Sequence, residues 1–132
     1  MITWNESFSV GVAELDSQHQ RLADLINLLH AQAQEPADNK LLEKAISKLT
    51  VYAFTHFGDE ERLLARCGYP DLEAHIAEHE EFGQTLMRFS RDAAVGMLDQ
   101  PRLFRFLKEW WAHHILEMDR QYKPFVTAVR SD

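Results

Sequence analysis

The chain has 132 residues, 45% of them hydrophobic and 27% charged, a balance typical of a globular protein. Its net charge of −7 disfavours nucleic acid and anionic lipid as partners. The sequence contains neither a long apolar run for a membrane span nor an export signal at its start. We therefore expect a single domain over residues 1–132, with no nucleic-acid binding and no membrane insertion.

The segment before Leu15 predicts an N-terminal arm, in which Trp4 and Phe8 are available to pack on one end of the fold. The first predicted helix follows, with Asp16 or Ser17 as its N-cap and Pro36 closing it. Its apolar face recurs every three or four residues, at Leu15, His19, Leu22, Ile26, Leu29 and Ala33.

Two further helices are separated by Gly68-Tyr69-Pro70, a sequence that ends a helix. The face of the second helix consists of Leu42, Ala45, Leu49, Ala53, His56, Glu60 and Leu63. Asp71 can cap the third helix, which is predicted to end near Gly96. The face of the third helix consists of Leu72, His75, Ile76, His79, Phe82, Leu86 and Phe89.

The fourth predicted helix opens with Gln100-Pro101, and Pro124 predicts its end or a kink. Its face consists of Leu103, Leu107, Trp110, His114 and Met118. Connections of only a few residues make successive helices antiparallel. The sequence therefore predicts an all-α fold, an up-down-up-down four-helix bundle with an N-terminal arm.

Five of the seven histidines lie on these apolar faces. They are His19, His56, His75, His79 and His114. A single inward histidine is usually an ordinary core residue. In this topology, however, the first and third helices begin at the end where the second and fourth finish, so all five share one depth. We expect His30 and His113 at the edge or surface.

Spacing favours a metal centre at that depth. The pairs His56/Glu60 and His75/His79 are four residues apart, which places each pair on one helix face. A buried Glu60 needs a cation, although Glu60 could instead be a surface residue on a misphased helix. Its neighbours Asp59 and Glu61 fall off the face and are expected to be solvated.

Five imidazoles and a carboxylate exceed the needs of one zinc ion, so the sequence predicts two metals. Histidine-rich ligation favours iron over manganese. The fourth helix stays ambiguous from the residues alone. Asp119 is five residues after His114, about 140° away on an ideal helix, whereas His113 and Glu117 form a pair four residues apart.

The chain resembles the bacterial hemerythrins over nearly its whole length. The motifs that carry the resemblance are Asp16-Ser17-Gln18-His19, His56-Phe57-Gly58-Asp59-Glu60, Gly68-Tyr69-Pro70, His75 to His79, and His114 to Asp119. Each is weak by itself, but the ordered set with these separations is specific.

This resemblance implies a di-iron centre with an oxo or hydroxo bridge. It places His75, His79 and His114 on one iron and His19 and His56 on the other. Glu60 and Asp119 would bridge the two ions. It also selects Asp119 over Glu117, and we expect either the bridging geometry or a local distortion near the end of the fourth helix to accommodate the offset.

The implied function is reversible binding of molecular oxygen for carriage, storage or local supply. The alternatives are a di-iron oxidase, peroxidase or nitric-oxide-handling enzyme, or a sensor of oxygen or iron. The sequence lacks the Glu-x-x-His motif of ferritin-like di-iron enzymes, and we expect no separate output domain in 132 residues. Candidates for an apolar pocket lining are Leu22, Ile26, Phe57, Trp111 and Ile115.

The lone Cys67 cannot form an internal disulfide and fits a reducing compartment, so we expect a cytoplasmic protein. We read this thiol as structural or incidental. We expect a monomer.

Overall fold

The computed structural model describes residues 2–33 and 39–130, without the side chains at positions 32–33, 39–41, 117–118, 120 and 127–130. Its long helices are α1 (Ala13–Ala33), α2 (Asn39–Arg66), α3 (Leu72–Ala94) and α4 (Gln100–His113). After α4 come a π-helical turn (His114–Asp119) and then α5 (Arg120–Arg130), and the three together form the fourth rod. The predicted four-helix bundle is confirmed. The predicted closing of the first helix at Pro36 lies outside the described residues.

The C-terminal ends of α2 and α3 follow the predicted signals closely. Gly68 and Gly96 have φ angles of 68° and 71°, the left-handed conformation that glycine adopts without steric cost. In each case the amide two residues past the C-cap donates back into the last turn, Tyr69 to Leu64 at 3.0 Å and Met97 to Asp92 at 2.8 Å. These bonds satisfy carbonyls that the helix end leaves free. They fix where α2 and α3 stop.

The fourth rod begins as predicted but does not end as predicted. Asp99 caps α4 by accepting a hydrogen bond from the Arg102 amide at 3.1 Å. Of the two expectations for Pro124, an end or a kink, the end is wrong, because α5 continues to Arg130 with Pro124 inside it. The kink stays a prediction. The amide that proline lacks would pair with the Arg120 carbonyl, at the point where the π-helical pattern changes to an α-helical one. A proline destabilises a helix least where the backbone hydrogen bonds are already irregular.

The start of α1 also differs from the prediction. The helix begins at Ala13, so Asp16 lies in its first turn and is not the N-cap. The Asp16 carboxylate instead accepts hydrogen bonds from the Val10 amide at 2.8 Å and the Ser9 hydroxyl at 2.6 Å. A second clamp joins the Ile2 backbone to the Asn27 side chain. Asp16 and Asn27 therefore tie the N-terminal arm to the bundle.

Trp4 and Phe8 pack as predicted, against the main core. Both rings contact Trp111, with centroid separations of 6.4 and 4.8 Å. No helix among the described residues combines the length and apolar character needed to cross a bilayer. Cys67 is partly buried and packs against an apolar cluster that includes Leu64 and Tyr69, in agreement with a structural role.

Apolar side chains form two buried clusters separated by a polar layer. The larger cluster includes Leu22, Ala53, Phe82 and Trp111. A smaller cluster at one end of the bundle consists of Val10, Val12, Leu15, Leu64, Tyr69, Tyr122 and Val126. Along each rod, the buried histidines and carboxylates lie between these two clusters. The candidate site is therefore enclosed above and below by packed apolar side chains.

Replacing Asp16 by Ala should release the arm and lower the free energy of unfolding of the metal-free protein by about 1–2 kcal/mol, since two hydrogen bonds to a partly buried carboxylate are lost. Urea denaturation followed by circular dichroism measures the change. Asp24→Ala, at an exposed position on the same helix, is the matched control and should change stability by less than about 0.5 kcal/mol. Equal effects of the two substitutions would contradict the clamp.

Candidate metal centre

All seven predicted ligand side chains meet in the polar layer and are buried. The exposed fraction is at most 3% for each of His19, His56, Glu60, His75, His79, His114 and Asp119. Every rod of the bundle contributes at least one of them. The predicted common depth of the five histidines is therefore confirmed. His30 and His113 are exposed, also as predicted.

A π-helical turn in the fourth rod places Asp119 beside His114. Its hydrogen bonds span five residues, so groups five apart come to lie on one face. It runs from His114 to Asp119 and brings the two within 3.0 Å of each other, from Nε2 to Oδ1. His113, by contrast, has a half-exposed side chain and faces Glu78 at 3.4 Å. The expected local distortion is thus present, and the side chain of Glu117 lies outside the described part of the chain.

The histidines form a pair and a trio. In the pair, the rings of His19 and His56 have centroids 4.6 Å apart. In the trio, the centroids of His75, His79 and His114 are separated by 4.7, 4.8 and 5.0 Å. Each group forms a buried cluster with Glu60 whose ligand atoms lie close enough to share one ion.

Glu60 connects the two groups by turning one oxygen to each. Its Oε2 is 3.2 Å from the Nε2 atoms of both His19 and His56. Its Oε1 is 3.2 Å from Nε2 of His79 and 3.4 Å from Nε2 of His114, and it also contacts His75. This is the placement required of a carboxylate that bridges two cations.

Asp119 repeats this arrangement from the fourth rod. Its Oδ2 is 3.0 Å from Nε2 of His19, in the pair. Its Oδ1 is 3.2 Å from Nε2 of His75 and 3.0 Å from Nε2 of His114, in the trio. Two ligands about 2.1 Å from one metal and 90° apart are themselves about 3 Å apart. The observed spacings match that separation.

Unpaired buried atoms show that the donor set fits metal ions. Both oxygens of Asp119 and Nε2 of His56 are buried without a hydrogen-bond partner among the described residues. Glu60 and Asp119 bring two negative charges into a site with no exposure to solvent. Buried charges without compensation are costly, and cations at the convergence point would offset them.

Without metal, protons on the histidines must offset the buried negative charges of Glu60 and Asp119. Burial disfavours the charged form of His19, but the carboxylates of Asp119 and Glu60, at 3.0 and 3.2 Å from its Nε2, outweigh it and raise its pKa to about 9. The same balance raises the pKa of His75 to about 10. Burial likewise opposes ionisation of Glu60, yet the surrounding histidines hold its pKa well below the ordinary value. Protons and metals therefore compete for the same nitrogen atoms.

Two ligand histidines are oriented from outside by groups that the sequence reasoning missed or misjudged. The Nδ1–H of His56 donates to Oε1 of Gln18 at 2.6 Å, and that of His79 donates to Oε2 of Glu61 at 3.0 Å. Each bond fixes the tautomer that points the Nε2 lone pair at the centre. Asp59 accepts from Gln18 at 3.0 Å and also pairs with Arg62. Asp59 and Glu61 are partly exposed, in line with the expected solvation, but Asp59 is also held by Gln18 and Glu61 by the ligand His79.

Tyr122 is the other missed residue. It is fully buried and donates its hydroxyl to Oε2 of Glu60 at 3.1 Å, and burial raises the pKa of its phenol well above the ordinary value. Its spacing of three residues after Asp119, one helical turn, could have indicated it.

Aromatic rings enclose the centre. Phe57 stacks on His79 with centroids 3.9 Å apart, and Trp110 stacks on His114 at 4.6 Å. Trp111 donates its indole N–H to the His19 carbonyl at 3.3 Å. The other lining candidates, Leu22, Ile26 and Ile115, are buried in the main core. Their contact with the centre stays a prediction.

Comparison with known proteins gives the family. The model of the hemerythrin HHE cation binding domain matches residues 10–126. The chain belongs to the hemerythrin family. A bacteriohemerythrin of Pseudomonas paraeruginosa is 32% identical over 98% of this chain and 82% of its own length. A bacteriohemerythrin of Methylococcus capsulatus is 28% identical over 97% of this chain and 98% of its own.

The similarity extends beyond bacteria and to solved structures. A hemerythrin-like protein of Naegleria gruberi is 32% identical over 91% of this chain and 89% of its own length. The crystal structure of a wild-type hemerythrin, 28% identical, superposes with a TM-score of 0.88 and covers 96% of this chain and 98% of that one. The hemerythrin fold and the resemblance inferred from the motifs are therefore confirmed.

Metal-free protein should lose stability as the pH rises from about 6.5 to about 10. His19 and His75 have folded pKa values of about 9 and 10, above the ordinary 6.5, so their contribution is complete below 6.5 and declines as they deprotonate. The urea midpoint of unfolding, measured across this range, should fall. Metal-loaded protein is the control, because cations replace the protons, and its midpoint should fall less. A flat profile for the metal-free protein would contradict this electrostatic account.

Proposed function

We propose that this hemerythrin holds two iron ions and binds molecular oxygen reversibly. The observation that supports this most strongly is the unequal division of the histidines around two shared carboxylates. His75, His79 and His114 would bind one iron, and His19 and His56 the other. Glu60 and Asp119 would bridge the ions, together with an oxo or hydroxo group.

The donor chemistry favours iron for this role. Imidazole and carboxylate ligands together suit metals of intermediate softness, and the histidine-rich set favours iron over manganese. Because the pair supplies one nitrogen fewer than the trio, its ion would keep an open position. Two ferrous ions bound here would supply the electrons and the open position needed for reversible binding of dioxygen.

The role of the surrounding residues is to keep water away and to hold the ligands still. Phe57 and Trp110 stack against ligand rings of the trio, and Trp111 covers the backbone at His19 on the side of the pair. A dry pocket limits the proton supply that would turn reversible binding into oxidation. Tyr122 holds one bridging oxygen through its hydroxyl.

We favour oxygen carriage, storage or local supply over catalysis. Ferritin-like di-iron enzymes use Glu-x-x-His motifs, and this sequence contains none. The cytoplasmic location and the monomeric state expected from the sequence stay predictions. An enzyme would differ from a carrier in consuming a substrate, and the following experiment separates the two.

Anaerobic loading with ferrous iron should give about two ions per chain, measured by metal analysis. Admission of air should produce a visible absorption band that disappears under vacuum and returns with oxygen over repeated cycles. Two bound irons that oxidise irreversibly while a reductant or other substrate is consumed would instead indicate an enzyme. A metal content far below two would contradict the proposed ligand set.

Two adjacent histidines test the ligand assignment directly. His114→Ala removes a buried ligand of the trio, so the purified variant should retain clearly less than two irons per chain. His113→Ala is the matched control and should retain two, since that side chain is half exposed. Metal analysis and circular dichroism on both variants separate lost iron from lost fold. Loss of iron in His113→Ala with full retention in His114→Ala would overturn the assignment.

A further inference from the structure

The two histidine groups have unlike outer partners. In the trio, His79 donates to the carboxylate of Glu61, whose side chain is 27% exposed. In the pair, His56 donates to the neutral amide of Gln18. Outside the ligand layer on that side, the carboxylate of Asp59 is one hydrogen bond further out and is already paired with Arg62. Among the described side chains, each half therefore has one anchored histidine, and only the trio has an anionic anchor in direct contact.

This difference has a chemical consequence. A hydrogen bond to a charged acceptor is stronger than one to a neutral amide, and it draws the Nδ1 proton away from the ring. Electron density on Nε2 rises, so the imidazole becomes a better metal ligand. Solvent reaches part of Glu61 and weakens the effect without removing it.

We propose that Glu61 acts through His79 to make the trio the tighter of the two metal sites, so that the trio fills first and the pair second. This inference rests on the ligand set of the proposed function but not on oxygen binding. The third histidine favours the same order. Glu61 adds a separate contribution that an isosteric substitution can remove, and it is a positioning residue that touches no metal itself.

Glu61→Gln isolates the charge. The amide oxygen can still accept the Nδ1–H of His79, so a purely structural role would survive the change. The probe is Co²⁺ alone, added stepwise to metal-free protein under argon and followed by calorimetry and visible absorption. We expect two steps in the parent, with the first weakened roughly 10-fold or more in Glu61→Gln and the second little changed.

The matched control moves the same charge to the other half. In Gln18→Glu/Asp59→Asn, the new carboxylate accepts from His56, while the new amide at position 59 can donate to it. The second step should tighten and the first should not change. The spectrum of the form with one Co²⁺ should shift in Glu61→Gln and not in the double variant, because only Glu61 acts on the first ion. Glu61→Asp, which restores the charge, should recover part of the lost affinity.

Ligand variants assign the steps to the halves. His56→Ala should keep the first step, and His79→Ala should lose it. If Glu61→Gln binds Co²⁺ as tightly as the parent in the first step, or if His56→Ala abolishes that step, the proposal is wrong. A protein that loads in the expected order but fails to bind oxygen reversibly would overturn the proposed function and leave this inference standing.

Discussion

The structure depends on two carboxylates buried at the point where five imidazoles converge. Glu60 and Asp119 have no exposure to solvent, and each faces both histidine groups with a separate oxygen. Such charges are tolerable only where positive charge lies between the ligands. In the metal-free chain protons on His19 and His75 supply part of it, and metal ions would supply all of it. Folding and metal binding are therefore coupled through the same atoms.

The rest of the bundle is arranged to make that layer possible. Apolar clusters on both sides exclude water, and residues of the arm, which Asp16 and Asn27 fasten to α1, pack against both clusters. The fourth rod gives up regular α-helical hydrogen bonding between His114 and Asp119 so that both reach the centre. A local irregularity at a buried charged group is what a functional constraint on the backbone predicts.

The two halves of the site differ in their hydrogen bonds outside the ligand layer. The ligands are nearly symmetric in residue type, with imidazole nitrogens on both sides of two carboxylates. The outer partners are not, since Glu61 is an anion and Gln18 is a neutral amide. If the site binds two metal ions, the number of histidines and these outer partners would make the affinities of its two halves different, without any change in the bridging groups.

The amino-acid sequence by itself determined the four helices, most of their ends and the inward phase of the five histidines, because helical periodicity and glycine or proline stop signals are local properties. The residues alone left Asp119 and Glu117 open, and only the family resemblance favoured Asp119, because a π-helical turn departs from the periodicity on which such reasoning rests. The tertiary structure showed how Asp119 reaches the centre. It also decided the roles of Glu61, Gln18 and Tyr122, which reach their partners across 18, 38 and 62 residues of chain. Contacts between rods leave at most a weak local signal, such as the one-turn spacing of Tyr122 from Asp119, so the packed bundle was needed to find them.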